Sequence, residues 1–237
     1  MSDRECSDRY SMHDFFLILS AASACGAAAF AAGRIGKVEE PIFHLVAERA
    51  GKTVLRPGGS EASEKIQALA DIHPTDTVLE LSAGLGRSSI DVAQKYGAKV
   101  LLTDVDTLRL EKAKELVNKL GLSNLISVEE LDMFDMDSSL GPKAKFDIAL
   151  TEASLTHHPT TRKEKFFAEV AKHANKFILH EVYFKTNDEA MQKLTKRDMS
   201  KVLKVGFYPE TSEAWQKLLL EGGFTIDHVN TGDLALL

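Results

Sequence analysis

From residue 75 onward, short apolar runs alternate with stretches whose apolar residues recur every three or four positions. The runs at 77–81, 100–103, 126–128, 146–150 and 177–179 predict strands. Helical spacing covers 87–96, 107–120 and 161–174 between them. The second is the clearest: Leu110, Ala113, Leu116, Val117 and Leu120 recur at helical steps, and Gly121 follows as the C-terminal cap. The runs lack apolar–polar alternation, as strands buried on both faces do. Alternating strand and helix then predicts an α/β fold, a parallel sheet covered by helices on both sides. Ligands of such sheets bind beyond the carboxyl ends of the strands.

The first 74 residues follow a different pattern. Residues 1–14 are polar, and residues 15–33 carry no charge, with a second half of mostly alanine, glycine and serine. The acidic start is unlike a secretory signal. The run is close to the length that crosses a bilayer, but small residues gain little from lipid. A packed or loosely attached helix, a membrane anchor with its body in the cytoplasm, and an extension peculiar to this chain all fit; the first carries the expectation of a cytoplasmic protein. An apolar patch (Ile42, Phe43, Leu45, Val46) then leads into the turn Leu55-Arg56-Pro57-Gly58-Gly59-Ser60. Ser60 is expected to cap a helix reaching about Asp71, with Ile66 and Leu69 on its buried side. The expected organisation is an extension over 1–37, a helical lead-in or cap over 38–74, and the main domain over 75–237. A charged helix in an insert at about 185–208 follows the fifth strand and is placed to act as a lid.

Composition narrows the function. The 237 residues are 44% hydrophobic and 27% charged, which suits a globular protein rather than a disordered or multi-span one. With 29 basic against 35 acidic side chains, the net charge of −6 argues against nucleic-acid binding through bulk charge. Cys6 and Cys25 are the only cysteines. A disulfide framework, a cysteine zinc site and a nucleophilic cysteine in the main body are therefore excluded.

The strand ends hold the chemistry. The first ends in Glu80-Leu81-Ser82-Ala83-Gly84-Leu85-Gly86, an acid followed by small residues at every second position, which lets the backbone turn sharply and approach a ligand. The second ends in Asp104, 18 residues beyond Gly86, where a carboxylate can accept both hydroxyls of a ribose. Asp132 and Met133 follow the third strand, and Thr151-Glu152-Ala153 the fourth. A nucleoside-containing ligand fits this set of strand ends.

These residues resemble the class I S-adenosylmethionine-dependent methyltransferases, over residues 55–237. The first motif is Glu80 to Gly86, with Ser82 where a glycine is commonest, and Glu221-Gly222-Gly223-Phe224 resembles the helix and sixth strand that close the family's sheet. The Leu-Arg-Pro-Gly-Gly turn resembles a bacterial-type subgroup of small-molecule methyltransferase-like proteins. The resemblance implies a doubly wound, mostly parallel seven-stranded sheet with a short last strand. It implies that Glu80, Ser82, Ala83, Gly84 and Gly86 line the methionine and ribose part of the cofactor. Asp104 would bind the ribose hydroxyls with Val105 beside it, Asp132 the adenine amino group with Met133 against the ring, and Glu152 would sit near the sulfonium. Methyl transfer by in-line displacement depends mainly on positioning, and a base is needed only if the acceptor keeps its proton at neutral pH. The candidates are His157 or His158, and His180 or Glu181, besides Glu152.

A nicotinamide fingerprint ending at Ser89 is the competing use of the glycine turn, but it leaves the acid after the fourth strand without a role. Neighbouring histidines on extended backbone point to opposite faces, so no metal site is expected at 157–158 or 180. The absence of an Asn/Asp-Pro-Pro-aromatic motif after the fourth strand weakens base amino-methylation, and the missing cysteine weakens C5-pyrimidine methylation. The expected reaction is therefore methyl transfer from S-adenosylmethionine to a small molecule, yielding S-adenosylhomocysteine. The alternative is a binding or regulatory module on the same fold.

Overall fold

The computed structural model describes residues 58–231. The expectations for residues 1–57, including the segment at 15–33, and for 232–237 lie outside them. Among the described residues no helix is long and apolar enough to cross a membrane.

Five strands form one parallel sheet: β1 Thr77–Glu80, β2 Lys99–Asp104, β3 Ile126–Glu130, β4 Phe146–Glu152 and β5 Ala174–His180. Their order across the sheet is β3-β2-β1-β4-β5. Helices α1 Gly59–Leu69, α2 Arg87–Tyr96, α3 Thr107–Lys119, α4 Met136–Leu140, α5 Thr160–His173, α6 Glu189–Leu203 and α7 Ser212–Glu221 surround it. A short parallel pair, β6 Tyr183–Phe184 and β7 Glu210–Thr211, forms a separate ribbon.

Alternate residues of each strand enter opposite cores. Val78, Val100, Leu102, Ile148 and Ile178 pack with Ile90, Ala113 and Val117 from α2 and α3. Leu79 and Ala149 pack on the other face with Met136, Phe166, Phe167, Trp215 and Leu218 from α4, α5 and α7. Both strand faces are thus buried, which is why the sequence shows apolar runs without alternation. The chain winds outward from β1 to β3 and then jumps back to β4. The topological switch point lies between β1 and β4, so the crevice at their carboxyl ends is the expected ligand site.

The doubly wound parallel sheet is as expected. Five of its strands lie among the described residues, where residues 222–231 form no ladder and Phe224 packs into the second core. The short last strand expected beyond residue 231 lies outside them. Two expectations for α1 are corrected. The N-cap of α1 is Gly58, in a left-handed conformation with φ 65°, and Ser60 is exposed. The buried side chains of α1 are Ser63 and Gln67, while Leu69 is exposed. Ser63 is buried there because it meets the Glu152 carboxylate, which apolar periodicity cannot register.

Candidate active site

The turn after β1 is built from left-handed residues. Ser82, Gly84 and Gly86 have φ of 56°, 57° and 74°. A non-glycine residue in this region carries about 1–2 kcal/mol of strain, so Ser82 keeps the backbone shape of the glycine it replaces at some energetic cost. Its hydroxyl donates to the Met133 sulfur at 3.3 Å, joining the first loop to the loop after β3. Ala153, one residue past β4, is also left-handed at φ 55°. Strained non-glycine residues therefore stand at the carboxyl ends of both β1 and β4, on either side of the switch point.

Gly86 is fixed by packing. A Cβ there would lie 2.2 Å from Leu102 Cδ1, so the glycine lets α2 settle against β2. Gly86→Ala combines this clash with a left-handed φ and is expected to lower stability by about 2–3 kcal/mol. Chemical denaturation would measure it, and a change below ~0.5 kcal/mol would refute the close approach. Gly84 is different: a Cβ there would meet only Arg109, at 3.7 Å, so the rim of the turn is open.

Glu80 lies beneath this turn. It is buried and accepts the backbone N–H of Ser89 at 2.7 Å together with the Ser89 hydroxyl, so it caps the first turn of α2. Asp104 ends β2 nearly buried, with Oδ2 accepting the Gly84 N–H at 2.7 Å and Oδ1 the Asp106 N–H at 3.0 Å. A carboxylate has about four acceptor positions, so roughly two remain for a diol. Val105 beside it is 60% exposed, an apolar surface next to the carboxylate. Asp106 caps α3 through the N–H groups of Leu108 and Arg109. In the third loop Asp132 is exposed and accepts the Phe134 N–H, while Met133 is buried. The open rim, the carboxylate with spare acceptor positions and the exposed apolar neighbour fit a nucleoside cofactor.

Residues 78–176 match the family described as "Methyltransferase domain". Residues 78–176 are thus similar to methyltransferase domains, and the sheet with its helices has the fold of the solved structures it superposes on. An uncharacterised protein of Haemophilus influenzae is 29% identical over 202 residues, covering 84% of this chain and 78% of its own. Phosphoethanolamine N-methyltransferase of Plasmodium falciparum is 27% identical over 136 residues, 57% of this chain and 46% of its own. The YcgJ protein of Bacillus subtilis superposes with a TM-score of 0.59 at 15% identity, over 69% of this chain and 68% of its own. Geranyl diphosphate C-methyltransferase of Streptomyces coelicolor, solved with Mg2+, geranyl diphosphate and S-adenosylhomocysteine, does so at 0.56 and 11%, over 69% and 59%.

On the β4 side, the fold brings some of the sequence-predicted catalytic residues together and separates others. Glu152 and His180 are register partners across β4 and β5. The Glu152 side chain is 4% exposed and accepts His180 Nδ1 at 2.8 Å, the Ser63 hydroxyl at 2.5 Å and the Ser88 hydroxyl. His157 stands apart, its Nδ1 directed at the Gly206 carbonyl at 2.9 Å, and so fastens the segment after α6. Glu181 accepts the N–H groups of Ser154, Leu155 and Thr156 and the Thr156 hydroxyl, capping the 3-10 turn Leu155–His157. Ser63 and Ser88 were absent from the sequence-derived set. Ser88 follows the glycine turn closely enough to have been a candidate, whereas nothing near Ser63 in the sequence points to Glu152.

His158 packs edge-on against Phe134 with ring centroids 4.7 Å apart, and Arg162 lies over the same ring. Burial, with the nearby Arg162 charge, lowers its pKa to about 4. The unfolded chain then binds a proton before the folded one, so this contribution is complete above pH ~6.5 and is lost as pH falls towards 4. Denaturant melts at pH 7, 5.5 and 4 should show a shallower acid loss for His158→Phe than for the wild type. Identical slopes would remove His158 from the account.

Asp137, Glu169 and His173 offer ligand atoms within 4.8 Å of one another. Lys172 reaches both carboxylates, at 3.0 and 2.7 Å, and holds the Asp137 carboxyl below its usual pKa. With His173 Nε2 3.0 Å from Asp137, the group ties α4 to the end of α5 as an ion-pair clasp.

Proposed function

We propose that this chain is an S-adenosylmethionine-dependent methyltransferase acting on a small-molecule acceptor. The observation that carries the reading is the left-handed turn Ser82–Gly86 facing Asp104 across the ends of β1 and β2. In this reading the open rim at Gly84 receives the amino-acid part of the cofactor, and Asp104 takes the ribose hydroxyls. Val105 and Met133 flank the adenine, with Asp132 at its amino group. Bound S-adenosylmethionine supplies a methyl group on a sulfonium, a good leaving group. The protein's part is to orient that methyl group towards the acceptor and exclude water. The match of residues 78–176 to the methyltransferase family supports this, as do the methyltransferases among its relatives.

A cavity of about 790 Å³ runs along the β5 edge between α1 and α7 and reaches His180 and Tyr183. Through His180, the register partner of Glu152, it offers a small acceptor an approach to that pair. Calorimetric titration with S-adenosylmethionine and S-adenosylhomocysteine, with NADH as control, tests the reading. Micromolar binding of the first two and none of NADH is expected; a folded sample that binds neither would overturn it.

A further inference from the structure

We infer that His180 is the general base of this site, that Glu152 positions it, and that the acceptor is therefore protic, methylated at an oxygen or nitrogen that carries a hydrogen. The inference rests on the methyltransferase reading and deepens it.

Glu152 is the wrong group to take a proton. Its Oε1 accepts the Ser88 hydroxyl, and its Oε2 accepts the Ser63 hydroxyl and His180 Nδ1. These donors come from α2, α1 and β5, so the carboxylate is held from three directions. An ionised carboxylate only accepts, so the contact at 2.8 Å places the hydrogen on Nδ1 and the lone pair on Nε2. A carboxylate behind one ring nitrogen and an accepting lone pair on the other is the arrangement that makes a histidine a directional base. His180 keeps 13% of its side chain exposed and lines the cavity along β5. The other titratable groups that line the cavity are Asp71, Lys176, Tyr183, Asp227, His228 and Glu181, the last spent on the 3-10 turn. His157 lacks this arrangement, because its Nδ1 faces a backbone carbonyl.

The step balances without a further reagent. A lone pair of the acceptor oxygen or nitrogen forms the bond to the methyl carbon. The carbon–sulfur bond breaks with its electrons going to sulfur, and the acceptor's proton passes to His180 Nε2. Glu152 stabilises the resulting imidazolium, which returns the proton to water after product leaves. An acceptor without such a hydrogen, a thioether or a tertiary amine, gains nothing from this pair.

The test uses the full chain in three measurements. Nitrogen-15 histidine spectra should show His180 protonated at Nδ1, with that tautomer lost in Glu152→Gln; an Nε2–H tautomer would overturn the assignment. A panel of matched acceptors, with phosphoethanolamine as the first amine beside alcohols, phenols, tertiary amines and thioethers, is scored by S-adenosylhomocysteine release. Turnover is expected only for protic members. His180→Gln should lower kcat about 100-fold or more, with KM changed little and the rising pH limb lost. Turnover confined to aprotic members, or a His180→Gln variant within threefold of wild type and with the same pH profile, overturns the proposal. So does tight cofactor binding with no protic member turned over. Calorimetry on the same samples separates the two readings: His180→Gln should bind S-adenosylmethionine as the wild type does, whereas loss of binding in the wild type itself would sink the methyltransferase reading.

Discussion

Asp104→Ala is expected to weaken S-adenosylmethionine binding by at least ~100-fold, the loss of two hydrogen bonds to a charged acceptor at about 1.5–3 kcal/mol each. Calorimetry measures this directly, and unchanged affinity would overturn the ribose role. The substitution also reaches into the protein. Asp104 accepts the N–H groups of Gly84 and Asp106, and removing it leaves both without that acceptor. A stability loss of about 1–3 kcal/mol should therefore accompany the binding defect. Asp104→Asn separates the two effects, because it retains one acceptor oxygen for the loop but no charge for the diol. Its melting temperature should lie closer to the wild type than its affinity does.

Lys163→Met is expected to cost about 3–5 kcal/mol of stability, the usual result of removing one partner from a buried ion pair. The Lys163 side chain has no exposure. Its ammonium donates to Glu210 at 2.7 Å and to the Tyr208 carbonyl, and lies 4.4 Å from the Trp215 ring centroid. Burial pushes its pKa down, and Glu210 opposes that shift. With the lysine gone, Glu210 keeps a hydrogen bond from Thr160 but loses its counter-charge. The double substitution Lys163→Met with Glu210→Leu should recover much of the loss, since replacing both charges leaves none buried. Urea unfolding of the two singles and the double closes the cycle. A single-mutant loss below ~1 kcal/mol would show that the pair does not clamp the segment after α6 onto α5.

Much of this architecture was legible before any coordinates. The second helix falls at the predicted 87–96, and Asp106 caps the third as its side-chain type suggests. The turn Ser82–Gly86 and the carboxylate of Asp104 stand at the ends of neighbouring strands β1 and β2, as their spacing implied. What misled was burial without hydrophobicity. Ile66 packs against the first core as expected, but Leu69 is exposed and Ser63 and Gln67 are the buried side chains of α1. The Gly-Gly-Phe ending looked like the lead-in to a sixth strand, yet Phe224 joins the core and the residues to 231 form no ladder.

The candidate catalytic residues divide along the same line. His157, His180 and Glu181 were indistinguishable in the sequence, because each follows a strand. The β4–β5 register separates them, setting His180 beside Glu152 while Glu181 caps a turn and His157 holds Gly206. Sequence by itself determined what depends on neighbours within about twenty residues: the helical period of α2 and α3, the glycine turn and the acid at the next strand end. Those features follow from backbone sterics and local hydrogen bonding, which act over a few residues. Only the tertiary structure decided the contacts of Glu152 with Ser63, 89 positions away, and of Lys163 with Glu210, 47 positions away. Such pairs exist because sheet order and helix packing carry distant segments to one place, and a buried polar group must then find its partner there.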